Sequence, residues 1–323
     1  MDAIGVVIPT YKARKHILGV LGAIGPEVSR IYVVDDCCPE HSGDYVLLHC
    51  QDSRLRVIKH QENRGVGGAV ITGYRAAIAD DLAVIVKIDS DGQMDPSLLL
   101  DFAMPILRGE ADYTKGNRFF DLEGISQMPR LRLIGNAALS LITKLSTGYW
   151  NLFDPTNGYT AIHTGVARRL PFHKISERYF FESDMLFRLN TFRAVVMDVP
   201  MDAKYGDEQS NLKISKIIGE FLRKHLINMV KRIFYNYYLR DMSLASIELP
   251  LGLLLFCFGV IYGGFHWLHS ASVGVATPAG TVMLAAAPAL VGLQLVLAFL
   301  SYDINSVPKR PLAAGHFVRR HSP

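Results

Sequence analysis

Two aspartates, Asp89 and Asp91, stand one residue apart directly after an apolar run, within the segment Val86–Gln93. If the backbone stays extended there, both carboxylates point the same way, because alternate side chains share one face of a strand. Paired carboxylates suit a hard divalent cation whose remaining ligands come from a nucleotide diphosphate. A solvated turn is the alternative, since Asp, Ser and Gly are common turn residues.

Other residues that could take part in binding or catalysis follow neighbouring apolar runs. Pro9-Thr-Tyr11 follows one run, and Asp35-Asp36 ends the next. The Gly-rich segment Asn63–Ala69 opens a helix with small residues, which lets the backbone approach a ligand or a strand. One acidic pair would then serve a ribose or base and the other a metal diphosphate. Taken separately, Asp36 could cap a helix as well as bind a ligand, and the glycines could form a turn as well as a binding loop.

The elements that position these residues alternate in kind over roughly the first 200 residues. Four short runs predict strands: Ile4–Ile8, Ile31–Val34, Leu55–Ile58 and Val84–Ile88. Helices are predicted around His16–Ile24 and Gly67–Ala79. This alternation of apolar strands with helices predicts an α/β domain with a mostly parallel sheet that is covered on both faces. Ligands of such sheets bind beyond the carboxyl ends of the strands, which is where the acidic and Gly-rich residues fall.

A second region differs sharply in composition. None of the 34 Lys and Arg residues lies between Arg240 and Lys309. The uncharged stretches Leu249–Ser270 and Thr281–Tyr302 are each near the roughly 20 residues that cross a bilayer. A buried helical hairpin is the alternative. The net charge of +4 is too small to indicate a nucleic-acid partner.

The segment Lys213–Arg240 precedes these stretches and is basic, with seven Lys or Arg residues against the single Glu220. In its first half, apolar residues and His225 share one helical face opposite the charges. This pattern favours a helix on an anionic membrane surface over an ordinary surface helix. Because basic residues flank both apolar stretches, the positive-inside rule predicts cytoplasmic flanks and an external loop at Ala271–Gly280.

Five short motifs follow one another before residue 120. They are Ile8-Pro-Thr-Tyr11, Val33-Val-Asp-Asp36, Asn63–Ala69, Asp89–Gln93 and Lys115-Gly-Asn-Arg118. As a set they resemble the inverting family 2 glycosyltransferases, strongly over residues 4–118 and weakly over 119–213. With two carboxy-terminal apolar stretches, the chain is most similar to the dolichyl- and polyprenyl-phosphate mannosyl- and glucosyltransferases. The resemblance implies a Rossmann-like nucleotide-sugar-transferase (GT-A) fold.

The resemblance also implies how the donor is held. Pro9, Tyr11 and Asp36 would border the nucleotide base and ribose. Asp89, Asp91 and Gln93 would hold Mg²⁺ or Mn²⁺ together with the donor diphosphate. The chain departs from the family at Lys12-Ala13, where Asn-Glu usually stands and supplies a nucleotide-side carboxylate.

On the acceptor side, Arg118 matches the arginine that grips the acceptor phosphate. Arg132 matches a second arginine, and Asn136 replaces its hydroxyl partner with an amide. Lys204 lies in a loosely matching basic motif and would contact the donor diphosphate. Arg118 and Arg132 would therefore join Asp89 and Asp91 as catalytic residues. The chemistry agrees, since planar guanidinium groups bind phosphate with two-point geometry.

Three further carboxylates keep alternative roles. Phosphate is already an anionic nucleophile, so transfer to it needs no strong base, whereas a hydroxyl acceptor must lose a proton. Glu182 and Asp184 are accordingly a base, a clamp on the acceptor loop or simply the start of a helix. Asp154, in a turn similar to one beneath the family's active site, either orients the sugar or caps that turn.

These observations predict four regions. They are a cytoplasmic glycosyltransferase domain (1–212), basic amphipathic juxtamembrane helices (213–241), a two-helix transmembrane anchor (247–303) and a basic cytoplasmic tail (304–323). The implied reaction moves a hexose from a UDP- or GDP-sugar to a polyprenyl phosphate, giving a lipid-linked donor for cell-envelope glycans in a bacterial inner membrane. A homo-oligomer is compatible with this arrangement. The alternatives are an enzyme acting on a hydroxyl and a non-catalytic nucleotide-sugar-binding or scaffold protein.

Overall fold

The computed structural model describes residues 3–120, 130–202 and 214–313, excluding the side chains of 130–132 and 214–218. The chain divides into two units. The first comprises Met1–Met229 and Pro308–Pro323, and the second comprises Val230–Val307.

A single sheet organises the described part of the first unit. Its strands are β1 Ile4–Thr10, β2 Val28–Asp35, β3 Leu55–Lys59, β4 Val84–Lys87, β5 Tyr113–Asn117, β6 Thr160–His163 and β7 Val196–Pro200. Their spatial order is β3-β2-β1-β4-β6-β5-β7. All neighbouring pairs are parallel except those of β6, which runs antiparallel between β4 and β5. The predicted α/β fold with a mostly parallel sheet is confirmed.

Helices connect and cover these strands. They are α1 Ile17–Gly22, α2 Ser42–His49, α3 Val66–Ala79, α4 Leu99–Leu107, α5 Arg130–Thr147, α6 Thr164–Ala167 and α7 Phe181–Thr191. A further helix, α8 Ile214–Phe234, follows the last strand. Every residue of β1 is buried, as expected for a central strand that is covered on both faces. The carboxyl ends of β1 and β2 meet, because Thr10 lies opposite Asp35 in the parallel register. With β4 on the other side of β1, the residues that follow all three strands share one edge of the sheet.

α5 has an inverted distribution of polarity. Its buried residues include Ser140, Thr143 and Ser146, while Ile134 and Leu141 on the opposite side are 66% and 53% exposed. The buried hydroxyls are satisfied, as in the 2.8 Å contact between Ser146 Oγ and the His225 ring of α8. The helix therefore keeps its polar face inside and presents an apolar face outward, the reverse of an ordinary surface helix.

A buried carboxylate holds a late segment of the chain in the first unit. Asp112, just before β5, accepts hydrogen bonds from the backbone N–H groups of Val195 (2.8 Å), Leu312 (2.9 Å) and Ala313 (2.8 Å). Leu312 and Ala313, which follow the second unit in sequence, are thus bonded into the first unit.

The second unit contains two long helices, α9 Ala245–Val273 and α10 Ala279–Asn305. Both are long and apolar enough to cross a membrane. Glycines allow them to pack closely: a Cβ on Gly259 would lie 2.5 Å from the Ala285 carbonyl oxygen, and one on Gly292 would lie 2.4 Å from the Phe256 nitrogen.

Candidate active site

A cavity of about 570 Å³ opens at the carboxyl ends of β1, β2 and β4. It brings together five of the residues predicted from sequence, namely Pro9, Tyr11, Asp36, Asp89 and Asp91. The remaining lining residues are Thr10, Asn63, Gly65, Val66, Ala69, Ser90, Arg178 and Tyr179. This position is the usual ligand site of an open α/β sheet.

Asp36 lies at the wall of this cavity and fixes the Gly-rich loop. Its carboxylate accepts hydrogen bonds from the backbone N–H groups of Arg64 (2.8 Å) and Gly65 (2.7 Å) and contacts His60 Nδ1 at 2.7 Å. Gly65 has φ +88°, and a Cβ there would lie 2.7 Å from the carbonyl oxygen of Glu177. Asp36 therefore shapes the cavity by holding the start of α3.

The loop after β1 is held by two side chains, one at the start of α2 and one in the segment that precedes it. The Lys12 N–H donates to Cys38 Sγ at 3.0 Å, and the Ala13 N–H donates to Ser42 Oγ at 3.3 Å. Lys12 adopts a left-handed backbone conformation with φ 54°, and its Nζ lies 5.7 Å from the centre of the Tyr11 ring. A cation beside an aromatic ring thus borders the place where the family usually has a carboxylate.

Asp89 and Asp91 follow β4 with different surroundings. Asp89 Oδ1 lies 2.8 Å from Lys87 Nζ, within the sheet. Asp91 Oδ1 accepts a hydrogen bond from the Gln93 N–H at 2.9 Å, so Gln93 supports the loop through its backbone. Gln93 itself is not among the residues that line the cavity.

This donor set fits a divalent cation that arrives with a phosphate ligand. In the described parts of the chain, no three His, Cys, Asp or Glu side chains form a complete metal cage. Mg²⁺ commonly uses one or two carboxylates and takes its remaining ligands from substrate phosphates and water. Two carboxylates bordering an open cavity meet that requirement, and the oxygen donors match the hardness of Mg²⁺ or Mn²⁺.

Arg118 is oriented by a buried carboxylate. Its Nε and Nη2 donate to the two oxygens of Asp154 at 2.7 and 3.0 Å, and its backbone N–H reaches Asp154 Oδ2 at 3.3 Å. Asp154 therefore sets the plane of the guanidinium group. Arg118 lies outside the lining of the 570 Å³ cavity.

Three of the predicted acceptor-side or donor-side residues are not among the described residues that line the cavity. Asn136 is half-buried on α5. Arg132 belongs to the first turn of α5, but its side chain is not described, and Lys204 lies outside the described residues. Their roles remain predictions.

The acidic pair of α7 lies outside the cavity lining. Asp184 accepts hydrogen bonds from the Ser176 N–H at 2.9 Å and from Asn228 Nδ2 at 3.1 Å, so it ties a loop and α8 to α7. Glu182 Oε1 lies 3.5 Å from Lys87 Nζ. Neither residue lines the cavity.

Arg178 and Tyr179 line the cavity but were missed by the sequence prediction. They reach it because their loop packs on the Gly-rich segment, where the Gly68 N–H donates to the Glu177 carbonyl oxygen at 3.0 Å. The only available signal was their position directly before the acidic pair of α7. Contacts between segments so distant in sequence leave no spacing pattern.

A family model describing glycosyl transferase family 2 matches residues 5–170. The chain therefore belongs to glycosyl transferase family 2, and the protein is a glycosyltransferase. The family resemblance predicted from the five motifs is confirmed.

Two relatives share most of their length with this chain. The undecaprenyl-phosphate mannosyltransferase of Micrococcus luteus is 28% identical over 229 residues, covering 70% of this chain and 91% of the relative. The UDP-N-acetylglucosamine–dolichyl-phosphate N-acetylglucosaminyltransferase of Methanococcus voltae is 27% identical over 230 residues, covering 66% and 90%. The chain is thus related to polyprenyl-phosphate sugar transferases.

The fold is similar to a solved structure of glucosyl-3-phosphoglycerate synthase from Mycobacterium tuberculosis in complex with Mn²⁺, UDP and glucosyl-3-phosphoglycerate. The TM-score is 0.53 at 19% identity, and the match covers 72% of this chain and 80% of that chain. This likeness supports the GT-A architecture expected from the motifs.

Proposed function

We propose that this enzyme transfers a hexose from a UDP- or GDP-sugar to a polyprenyl phosphate with inversion at the anomeric carbon. The bond between that carbon and the nucleotide diphosphate breaks, and a bond to a lipid phosphate oxygen forms on the opposite face. The observation that carries the proposal is the cavity at the sheet edge, where Asp89 and Asp91 lie with Pro9 and Tyr11.

On the donor side, Asp89 and Asp91 would hold a divalent cation together with the diphosphate. When bound, Mg²⁺ or Mn²⁺ neutralises the negative charge of the departing nucleotide. Tyr11 offers an exposed ring at the cavity for the nucleotide base or ribose, and Asp36 keeps the Gly-rich wall in place. The Mn²⁺ and UDP in the mycobacterial structure support this assignment.

Three observations favour a lipid phosphate over a hydroxyl acceptor. The carboxylates first considered as bases, Glu182 and Asp184, do not line the cavity and already have partners in the fold. The exposed apolar face of α5, with Ile134 and Leu141, suits a lipid chain or membrane interface, and the acceptor-side residue Asn136 is on the same helix. The names of both relatives include a polyprenyl or dolichyl phosphate.

We further propose that α9 and α10 anchor the enzyme in a membrane. Both apolar helices exceed the length that a bilayer requires. The basic flanks would place the catalytic unit on the cytoplasmic side. In a bacterial inner membrane, the lipid-linked sugar would then serve as a donor for envelope glycans.

The test incubates membranes containing the enzyme with a panel of labelled UDP- and GDP-sugars and measures label in the organic-extractable lipid. We expect one sugar nucleotide to label a polyprenyl-phosphate lipid, with release of the sugar under mild acid. Label confined to a polysaccharide or to a hydroxyl-linked glycolipid would overturn the choice of acceptor.

A further inference from the structure

A buried lysine contacts the first of the paired aspartates. Lys87, the last residue of β4, is only 1% exposed, and the mechanism proposed above does not use it. Its Nζ lies 2.8 Å from Asp89 Oδ1 and 3.5 Å from Glu182 Oε1. Burying an ammonium group is costly unless anions compensate for the lost water, and here two carboxylates do so.

Gly158 packs against Lys87 and Asp89 from a second direction. A Cβ at that position would lie 2.5 Å from Lys87 Nζ and 2.6 Å from Asp89 Oδ2. The backbone at Gly158 therefore packs against both members of the pair, and a larger residue would displace one of them. One oxygen of Asp89 contacts the lysine, and the other lies against this glycine.

We infer that Lys87 is a positioning residue for Asp89 and that Glu182 is the second counter-ion of Lys87 instead of a general base. The inference rests on the proposed donor site, because Asp89 matters only if it holds the metal diphosphate. It assigns three charges to one cluster around the buried Lys87: the cation of Lys87 itself, a partly exposed carboxylate just after β4 and a half-buried carboxylate on α7. Glu182 belongs to this cluster because its carboxylate approaches the Lys87 ammonium group from the helix side.

The cluster predicts a specific dependence between two substitutions. Lys87→Met removes the cation and leaves Asp89 and Glu182 as neighbouring carboxylates whose repulsion displaces Asp89. Glu182→Gln in the same protein removes the excess negative charge while preserving shape. A defect caused by Lys87→Met should therefore be partly reversed by Glu182→Gln.

The experiment compares the full-length wild-type protein with Lys87→Met, Glu182→Gln and the double variant. Initial rates are measured against donor concentration, and binding of UDP or GDP with Mn²⁺ is measured by calorimetry. We expect Lys87→Met to lower kcat/KM by roughly 100-fold, Glu182→Gln by less than about tenfold, and the double variant to recover at least about tenfold over Lys87→Met. Nucleotide binding should weaken and recover in the same order.

Lys59→Met is the matched control, since Lys59 forms an exposed pair with Asp44. It should leave rates and binding within about twofold of the wild type, as exposed pairs contribute little. A Glu182→Gln protein that binds nucleotide normally but transfers nothing would overturn the inference, because Glu182 would then be the base. The inference also fails if Lys87→Met binds Mn²⁺ and nucleotide as well as the wild type does.

The binding arm separates this inference from the proposed function. If the wild type binds the Mn²⁺ nucleotide but does not glycosylate a lipid phosphate, the choice of acceptor fails while the Lys87 comparison still applies. If Lys87→Met does not fold, Glu182→Gln alone decides: retained transfer supports the counter-ion, and loss of transfer with normal binding refutes it.

Discussion

The guanidinium group of Arg118 is held in a fixed orientation by a neighbouring carboxylate. Its two contacts with buried Asp154 fix the orientation of the guanidinium plane before any acceptor arrives. Lysine can replace the charge but cannot reproduce this two-point geometry.

We therefore expect Arg118→Lys to raise the acceptor KM or lower turnover by about tenfold or more, despite the conserved charge. Initial rates against polyprenyl-phosphate concentration measure this effect. Arg168→Lys serves as the control, because Arg168 pairs with Asp81 at the exposed surface and should have little influence. Equal rates for both variants would remove Arg118 from the acceptor site.

Asp91 provides the second test at this scale. Asp91→Asn keeps the side-chain oxygen that receives the Gln93 N–H but removes the negative charge, so transfer should fall by at least ~100-fold. Excess EDTA should abolish transfer by the wild type, and added Mg²⁺ or Mn²⁺ should restore it. Undiminished transfer in EDTA would contradict a metal-dependent donor site.

The sequence was sufficient to predict which strand ends meet, but not which side chains pair. Asp36, Asp89 and Asp91 could be placed together because parallel strands bring their carboxyl ends to one edge. The partnership of Lys87 with Glu182 joins a strand to a helix far along the chain, and a lysine at the end of an apolar run carries no mark of its partner. The positions of Arg178 and Tyr179 could not be predicted for the same reason.

At the scale of elements, the hydrophobic periodicity of the sequence predicted which helices and strands form better than it predicted where each one begins and ends. The predicted first strand ended at Ile8, whereas β1 continues to Thr10 and carries Pro9 within it. The amphipathic pattern before Arg240 corresponds to α8, and His225 lies on its buried side. α5 was not predicted as a separate helix, since its buried face is rich in hydroxyls and gives no ordinary apolar stripe.

His225 makes the attachment of α8 sensitive to acid. Burial lowers the pKa of its imidazole to about 4, against an ordinary value of 6.5. Between these values the unfolded chain binds more protons than the folded protein, so stability should decrease as pH falls from about 6.5 to 4. The full effect is roughly 3 kcal/mol.

Thermal unfolding of the purified protein at several pH values checks this expectation. His225→Gln cannot be protonated, so its unfolding temperature should fall less steeply over the same window. Both proteins retain the other titrating groups, including Asp198, whose pKa burial raises to about 6. Parallel declines in the two proteins would mean that His225 does not contribute.

For the whole molecule, the uncharged turn between α9 and α10 provides the test of topology. Ser272, exposed near the end of α9, should lie outside the cell if the helices cross a membrane. A cysteine placed there, after replacement of Cys37, Cys38, Cys50 and Cys257, should react with an impermeant thiol reagent in intact cells. A cysteine at exposed Asn305 is the control and should react only after permeabilisation. The opposite pattern would reverse the proposed orientation.

The hydrogen bonds from Leu312 and Ala313 to Asp112 have a consequence for biosynthesis. A ribosome releases the sheet first, then α9 and α10, and only afterwards the two residues that complete the partners of this buried carboxylate. The catalytic unit therefore cannot acquire all its native contacts until the apolar helices have left the ribosome. If α9 and α10 anchor the enzyme in a membrane as proposed, maturation of the catalytic unit would follow delivery of these helices to that membrane, and unfinished chains would not yet have a fully assembled catalytic unit.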